Sequence, residues 1–84
     1  MKKISFYDNK NIISEKVKQL RQERGLSQSE LAVKLQTYNI NIDQQMISKI
    51  EHNHRQVTDY ELFYICKCLS VTPNDILSDL PETE

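Results

Sequence analysis

Glycine and proline are nearly missing from this chain, with one glycine and two prolines in 84 residues. So few chain breakers leave no room for a linker, a low-complexity run or a turn-based repeat. No stretch approaches the ~20 apolar residues of a membrane helix. No leader pattern follows Met1, so a cytoplasmic chain is expected. Cysteine is scarce as well: Cys66 and Cys68 are the only two. Two apart on a helix, their side chains diverge by about 200° and share neither a metal nor a disulfide. Small buried thiols in a reducing cytoplasm are the expectation. An excess of positive charge is also absent, the formal net charge being −1.

What is present is helix-forming. Ser27 and Glu30 have the spacing of a capping box, and Leu31, Ala32 and Leu35 follow as one apolar stripe. Asp43 suits the start of a further helix whose buried side is set by Ile47 and Ile50. Upstream, residues 11–24 read as a first helix through Ile13, Val17 and Leu20, stopped by Gly25 with Leu26 beyond it. Downstream, Thr58 and Glu61 repeat the capping-box spacing before Leu62, Ile65, Cys66 and Leu69. Thr72-Pro73-Asn74-Asp75 opens a last helix, with Ile76, Leu77 and Leu80 closing the core. The expectation is an all-α fold of five helices in one domain, residues 1–84. Its core spans about 12–78, with an N-terminal arm at 1–10 and an acidic tail at 79–84.

The third helix carries the chemistry. At about 100° per residue, Gln45, Ser48, Lys49 and His52 point away from Ile47 and Ile50, with Gln44 at the edge. Such a front suits the DNA major groove, where amides and ammonium groups meet base-edge and phosphate acceptors. Glu51 falls on the flank of the buried side, where a carboxylate needs a partner. Arg21, one residue past Leu20 on the border of the first helix's stripe, can supply it.

Several blocks in this order resemble a known family: Val-Lys-Gln-Leu-Arg (17–21), Gly-Leu-Ser-Gln (25–28), Glu-Leu-Ala (30–32), Ile-Ser-Lys-Ile-Glu (47–51) and Ile-Cys-Lys-Cys-Leu-Ser-Val (65–71). They are similar to the lambda-repressor-like, XRE-type helix-turn-helix domain. The resemblance covers about residues 13–77 and implies a five-helix globule whose third helix, about 44–52, enters the major groove. It also implies that Gln28 holds a phosphate and that Gln44, Gln45, Ser48 and Lys49 contact bases or nearby backbone. Arg21 and Glu51 would form an internal ion pair. Lys49, His54 and Arg55 are further phosphate candidates around the end of that helix.

Two places depart from the family pattern. Eleven residues separate Leu35 from Ile47, where about six are usual. The excess, around residues 37–41, reads as a longer second helix plus a loop, hence a lengthened turn between helices 2 and 3. Ile42 fills the apolar turn position, and Tyr38 and Ile40 cover added core. The competing reading gives Tyr38, Asn39 or Asn41 a contact to DNA or to a partner. At Ser70, where glycine is common, a less sharply turned helix end is expected.

Charge is the main argument against nucleic acid, because binding domains are often basic. The average hides a gradient: residues 1–24 carry seven basic groups against three acidic, and residues 58–84 one against six. His52 and His54 read as solvated or phosphate-facing, in a turn where Asn53 takes the left-handed conformation, rather than as metal ligands. No nucleophile–base pair, phosphate-binding glycine loop or paired acids can be argued. No enzyme, cofactor, metal or small-molecule ligand is therefore expected. The expected function is a sequence-specific DNA-binding transcriptional regulator, a repressor acting as a homodimer on an inverted-repeat operator. The alternative is a protein-interaction module on the same scaffold, antitoxin-like or anti-repressor, whose main ligand is another protein.

Overall fold

Four helix starts are capped by side chains. The Ser27 hydroxyl accepts the Glu30 N–H at 3.0 Å while the Glu30 carboxylate accepts the Ser27 N–H at 2.8 Å. The pairs Thr58/Glu61 and Thr72/Asp75 repeat this reciprocal box, and Asp43 accepts the Met46 N–H at 2.8 Å. Each cap satisfies donors the helix itself leaves orphaned and contributes about 1 kcal/mol. The structure, a computed structural model, describes residues 10–78. Nearly all of the arm at 1–10, the tail at 79–84 and Leu80 lie outside those residues. Among the described residues the chain is all-helical: α1 (Ser14–Glu23), α2 (Gln28–Gln36), α3 (Gln44–Glu51), α4 (Asp59–Leu69) and α5 (Pro73–Leu77). None of these helices is long and apolar enough to cross a membrane.

The first four helices end in the same closure. Gly25, Asn39, Asn53 and Ser70 have φ of 70°, 63°, 63° and 60°. The N–H after each reaches back five residues, from Leu26 to Arg21, Ile40 to Leu35, His54 to Lys49 and Val71 to Cys66. This Schellman geometry retires carbonyls that would otherwise be orphaned. The only glycine of the chain serves one end, asparagine two, and serine the last. Ser70 is therefore turned as sharply as the others, contrary to expectation. Buried Leu69 and half-buried Val71, packed against the core, hold it there.

The core is aliphatic. Val17, Leu31, Leu35, Ile42, Ile47, Ile50, Ile65, Leu69 and Ile76 are almost wholly buried, with Cys66 the single sulfur among them. α3 packs on α1 and α2, and α4 packs on α2 and α5, so α3 is held from behind by two helices.

Three local expectations need correction. α1 begins at Ser14 rather than Asn11, because the Asn11 side chain is committed elsewhere. Its oxygen accepts the Ile13 N–H, and its amide donates to the Ile50 and Arg55 carbonyls at 3.1 and 2.9 Å. α2 stops at Gln36, so the added residues lengthen the turn and not the helix. Ile40 and Ile42 pin that turn into the core while Tyr38 stays 40% exposed. Leu77 is exposed at the end of α5 instead of closing the core, which Ile76 does alone on that helix.

Candidate nucleic-acid interface

The α3 surface is built outward from a buried charge. Glu51 receives the Arg21 guanidinium in a two-pronged pair, Nε to Oε2 at 2.7 Å and Nη2 to Oε1 at 3.1 Å. Side-chain exposure is 10% for Arg21 and 1% for Glu51. The remaining Arg21 nitrogen, Nη1, donates to the Leu26 carbonyl at 2.8 Å, inside the closure of α1. The bonded carboxylate raises the Arg21 pKa against the opposing effect of burial. Buried charges are tolerated when paired and hydrogen-bonded in this way.

Gln28 carries the arrangement to the surface. Its amide nitrogen donates to Glu51 Oε1 at 3.0 Å, and its oxygen accepts from the Gln44 amide at 2.7 Å. Gln44, exposed at the first position of α3, is thus tied through Gln28 to the ion pair. Gln45 and Lys49 are exposed and make no side-chain hydrogen bond or ion pair with a described residue. Ser48 is half-buried beside His52, whose Nδ1 lies 2.8 Å from the Ser48 carbonyl and donates to it. The His52 and His54 rings are 6.3 Å apart, and no third candidate ligand joins them among the described residues.

Arg55, a phosphate candidate in the sequence, is paired within the fold. It forms a two-pronged pair with Glu61 at 2.9 and 3.0 Å and donates to the Gln56 carbonyl. Its pKa is raised by that carboxylate. The Glu61 carboxyl is held below its ordinary range, first by the Arg55 bond and then by the Thr58 cap, with burial opposing. Sequence reasoning saw Glu61 only as half of a capping box. The overlooked signal was its place four residues before Ile65 and eight before Leu69, on the apolar stripe, where a carboxylate needs a cation. Asn11 and Asn53 were missed as a clasp as well. The Asn53 oxygen accepts the Lys10 and Asn11 N–H groups at 2.8 and 3.1 Å, while Asn11 holds the last turn of α3.

The two thiols are set apart on α4. Cys66 is fully buried and Cys68 half-buried, and burial pushes both up from the ordinary thiol value.

Two packed helices joined by a lengthened turn, the second with a buried back and an amide-bearing front, define a helix-turn-helix unit. Residues 17–76 match the helix-turn-helix family model. The chain belongs to that family, the lambda-repressor-like (XRE-type) helix-turn-helix domains of DNA-binding regulators. No curated protein sequence matches the chain.

Proposed function

We propose that this chain is a sequence-specific transcriptional repressor in the cytoplasm, inserting α3 into the major groove of an inverted-repeat operator as a homodimer. The observation that carries this reading is the division of labour at the start of α3. Gln44 is braced by Gln28, while the neighbouring Gln45 projects with both ends of its amide unspent. A free glutamine amide donates to adenine N7 and accepts from its N6 amino group at once, a pairing no other base edge offers in the major groove. Ser48 and Lys49 continue the same face, one helical turn on, toward bases or adjacent phosphates. Gln28, half-buried, meets a phosphate only with a donor hydrogen left over from its bond to Glu51. His54 is exposed at the closure of α3 and adds a phosphate contact there. Arg55 contributes what remains of its guanidinium after Glu61.

Selection of bound duplexes from a random pool tests this reading. A recovered motif with two-fold symmetry, its half-sites about one helical turn apart, is the expected result. The rival, a protein-interaction module, draws support from Tyr60 and Phe63, two aromatic side chains exposed on α4. Recovery of no enriched sequence would favour it.

A further inference from the structure

All four aromatic residues among the described ones lie on one face, and none is in the core. Tyr60 is 58% exposed, Phe63 50% and Tyr38 40%, with Tyr64 half-buried between them. The rings touch: Tyr38 to Tyr64 at 5.1 Å, and Phe63 edge-on to Tyr64 at 5.0 Å. Tyr64 packs against the aliphatic core, while Tyr38, Tyr60 and Phe63 leave much of their rings in water, where they add little to folding. Exposed aromatic clusters mark contact surfaces, since rings supply area at small entropic cost.

The charges on this face say what covers it. Along α4, Tyr60, Phe63, Tyr64 and Lys67 form the outward stripe, and Asp59 stands at its N-terminal edge. Lys67 lies over the Phe63 ring at 5.6 Å from its centroid, and neither Lys67 nor Asp59 has an ion-pair partner among the described residues. Asp59 and Lys67 are equally spaced about Phe63, each about 6 Å along the axis at 1.5 Å per residue. Turned end over end, the stripe therefore complements itself. Asp59 of one copy meets Lys67 of the other twice over, and Phe63 meets Phe63 on the axis, with Tyr60 and Tyr64 flanking them. An isologous two-fold contact demands that kind of self-complementarity. An unrelated partner would not require the acid and the base to sit symmetrically about the central ring.

We propose that this face is a homodimer interface, α4 crossing antiparallel to α4 of a second copy about Phe63, with Tyr38 of the lengthened turn extending the aromatic contact. This deepens the dimeric reading above and rests on it only for its consequence on DNA. It also gives the added residues between α2 and α3 a use: they carry Tyr38 to the edge of α4.

Charge reversal in the full chain tests it, read by sedimentation velocity over a concentration series. Wild type should dimerise. K67E and D59K, both on exposed positions, should each weaken self-association by ~tenfold or more, because like charges then face each other. Mixed in equal amounts, the two variants should form a heterodimer, since both cross-pairs become opposite in sign. Circular dichroism confirms that each variant is folded. A monomeric wild type, reversal variants that dimerise as wild type does, or a mixture that stays dissociated would overturn the proposal. Failure of the DNA reading shows separately: a chain that dimerises this way but enriches no duplex sequence loses the operator and keeps the interface.

Discussion

Gln44, the first residue of α3, is bonded through a 2.7 Å amide contact to Gln28, the first residue of α2. Through Gln28 the contact continues to Glu51 and Arg21, so an exposed amide is positioned by a buried ion pair. Residues acting as one unit should not behave additively. Gln28→Ala and Gln44→Ala, combined in a double-mutant cycle on DNA affinity, should show a coupling of roughly 0.5–3 kcal/mol. Strict additivity would mean the contact does not set the Gln44 position when DNA is bound.

The Arg21–Glu51 pair is a structural requirement before it is a functional one. Arg21→Ala strands a carboxylate that is almost fully buried, and should cost roughly 3–5 kcal/mol in urea unfolding. Replacing both partners by apolar residues of similar volume should cost less than removing either alone. Unchanged stability of Arg21→Ala would show that water relieves Glu51.

Arg55 and Glu61 give the fold an acid dependence. The Glu61 carboxyl is lowered in the folded state, so the unfolded chain binds its proton first as pH falls. The stabilisation is fully present above the ordinary glutamate range, about 4.3, and drains away as pH drops through the depressed folded value. Glu61→Gln should flatten stability against pH in that acidic window. Arg55→Ala should cost about 1–3 kcal/mol by leaving buried carboxylate oxygens short of donors. If Arg55→Ala leaves stability intact but weakens DNA binding, Arg55 serves phosphate after all.

Helix positions were legible because their chemistry is local. Ser27/Glu30, Thr58/Glu61 and Thr72/Asp75 are capping pairs three residues apart, and Ile47 and Ile50 fix one face by spacing alone. Partners far apart in sequence were legible only where a charge on an apolar stripe demanded one, as Glu51 did. Glu61 made the same demand, but its cap concealed it. The Asn11–Asn53 clasp spans 42 residues and leaves no periodic signature, since neither residue sits on a stripe. The lengthened turn was legible as an insertion but not in shape. Its Schellman closure at Asn39 follows from Ile40 finding the core, which no local pattern announces.

Ser70 carries backbone strain that glycine would not. At φ 60° an L side chain crowds its own backbone, and burial of Leu69 prevents the turn from opening. Ser70→Gly should stabilise the protein by about 1 kcal/mol, raising the thermal midpoint without altering DNA preference. A lowered midpoint would show that the hydroxyl makes a contribution larger than the strain.

The central claim is that α3 reads bases through Gln45, and paired sequence selections with wild type and Gln45→Ala test it most directly. Gln45 is exposed and otherwise unbonded, so its removal should leave folding and non-specific affinity nearly unchanged. A bidentate amide–adenine pair carries roughly 1–3 kcal/mol of discrimination. The wild-type motif should therefore hold an adenine in each half-site that becomes degenerate in the variant, all other positions keeping their preference. Identical motifs from the two proteins would contradict the claim.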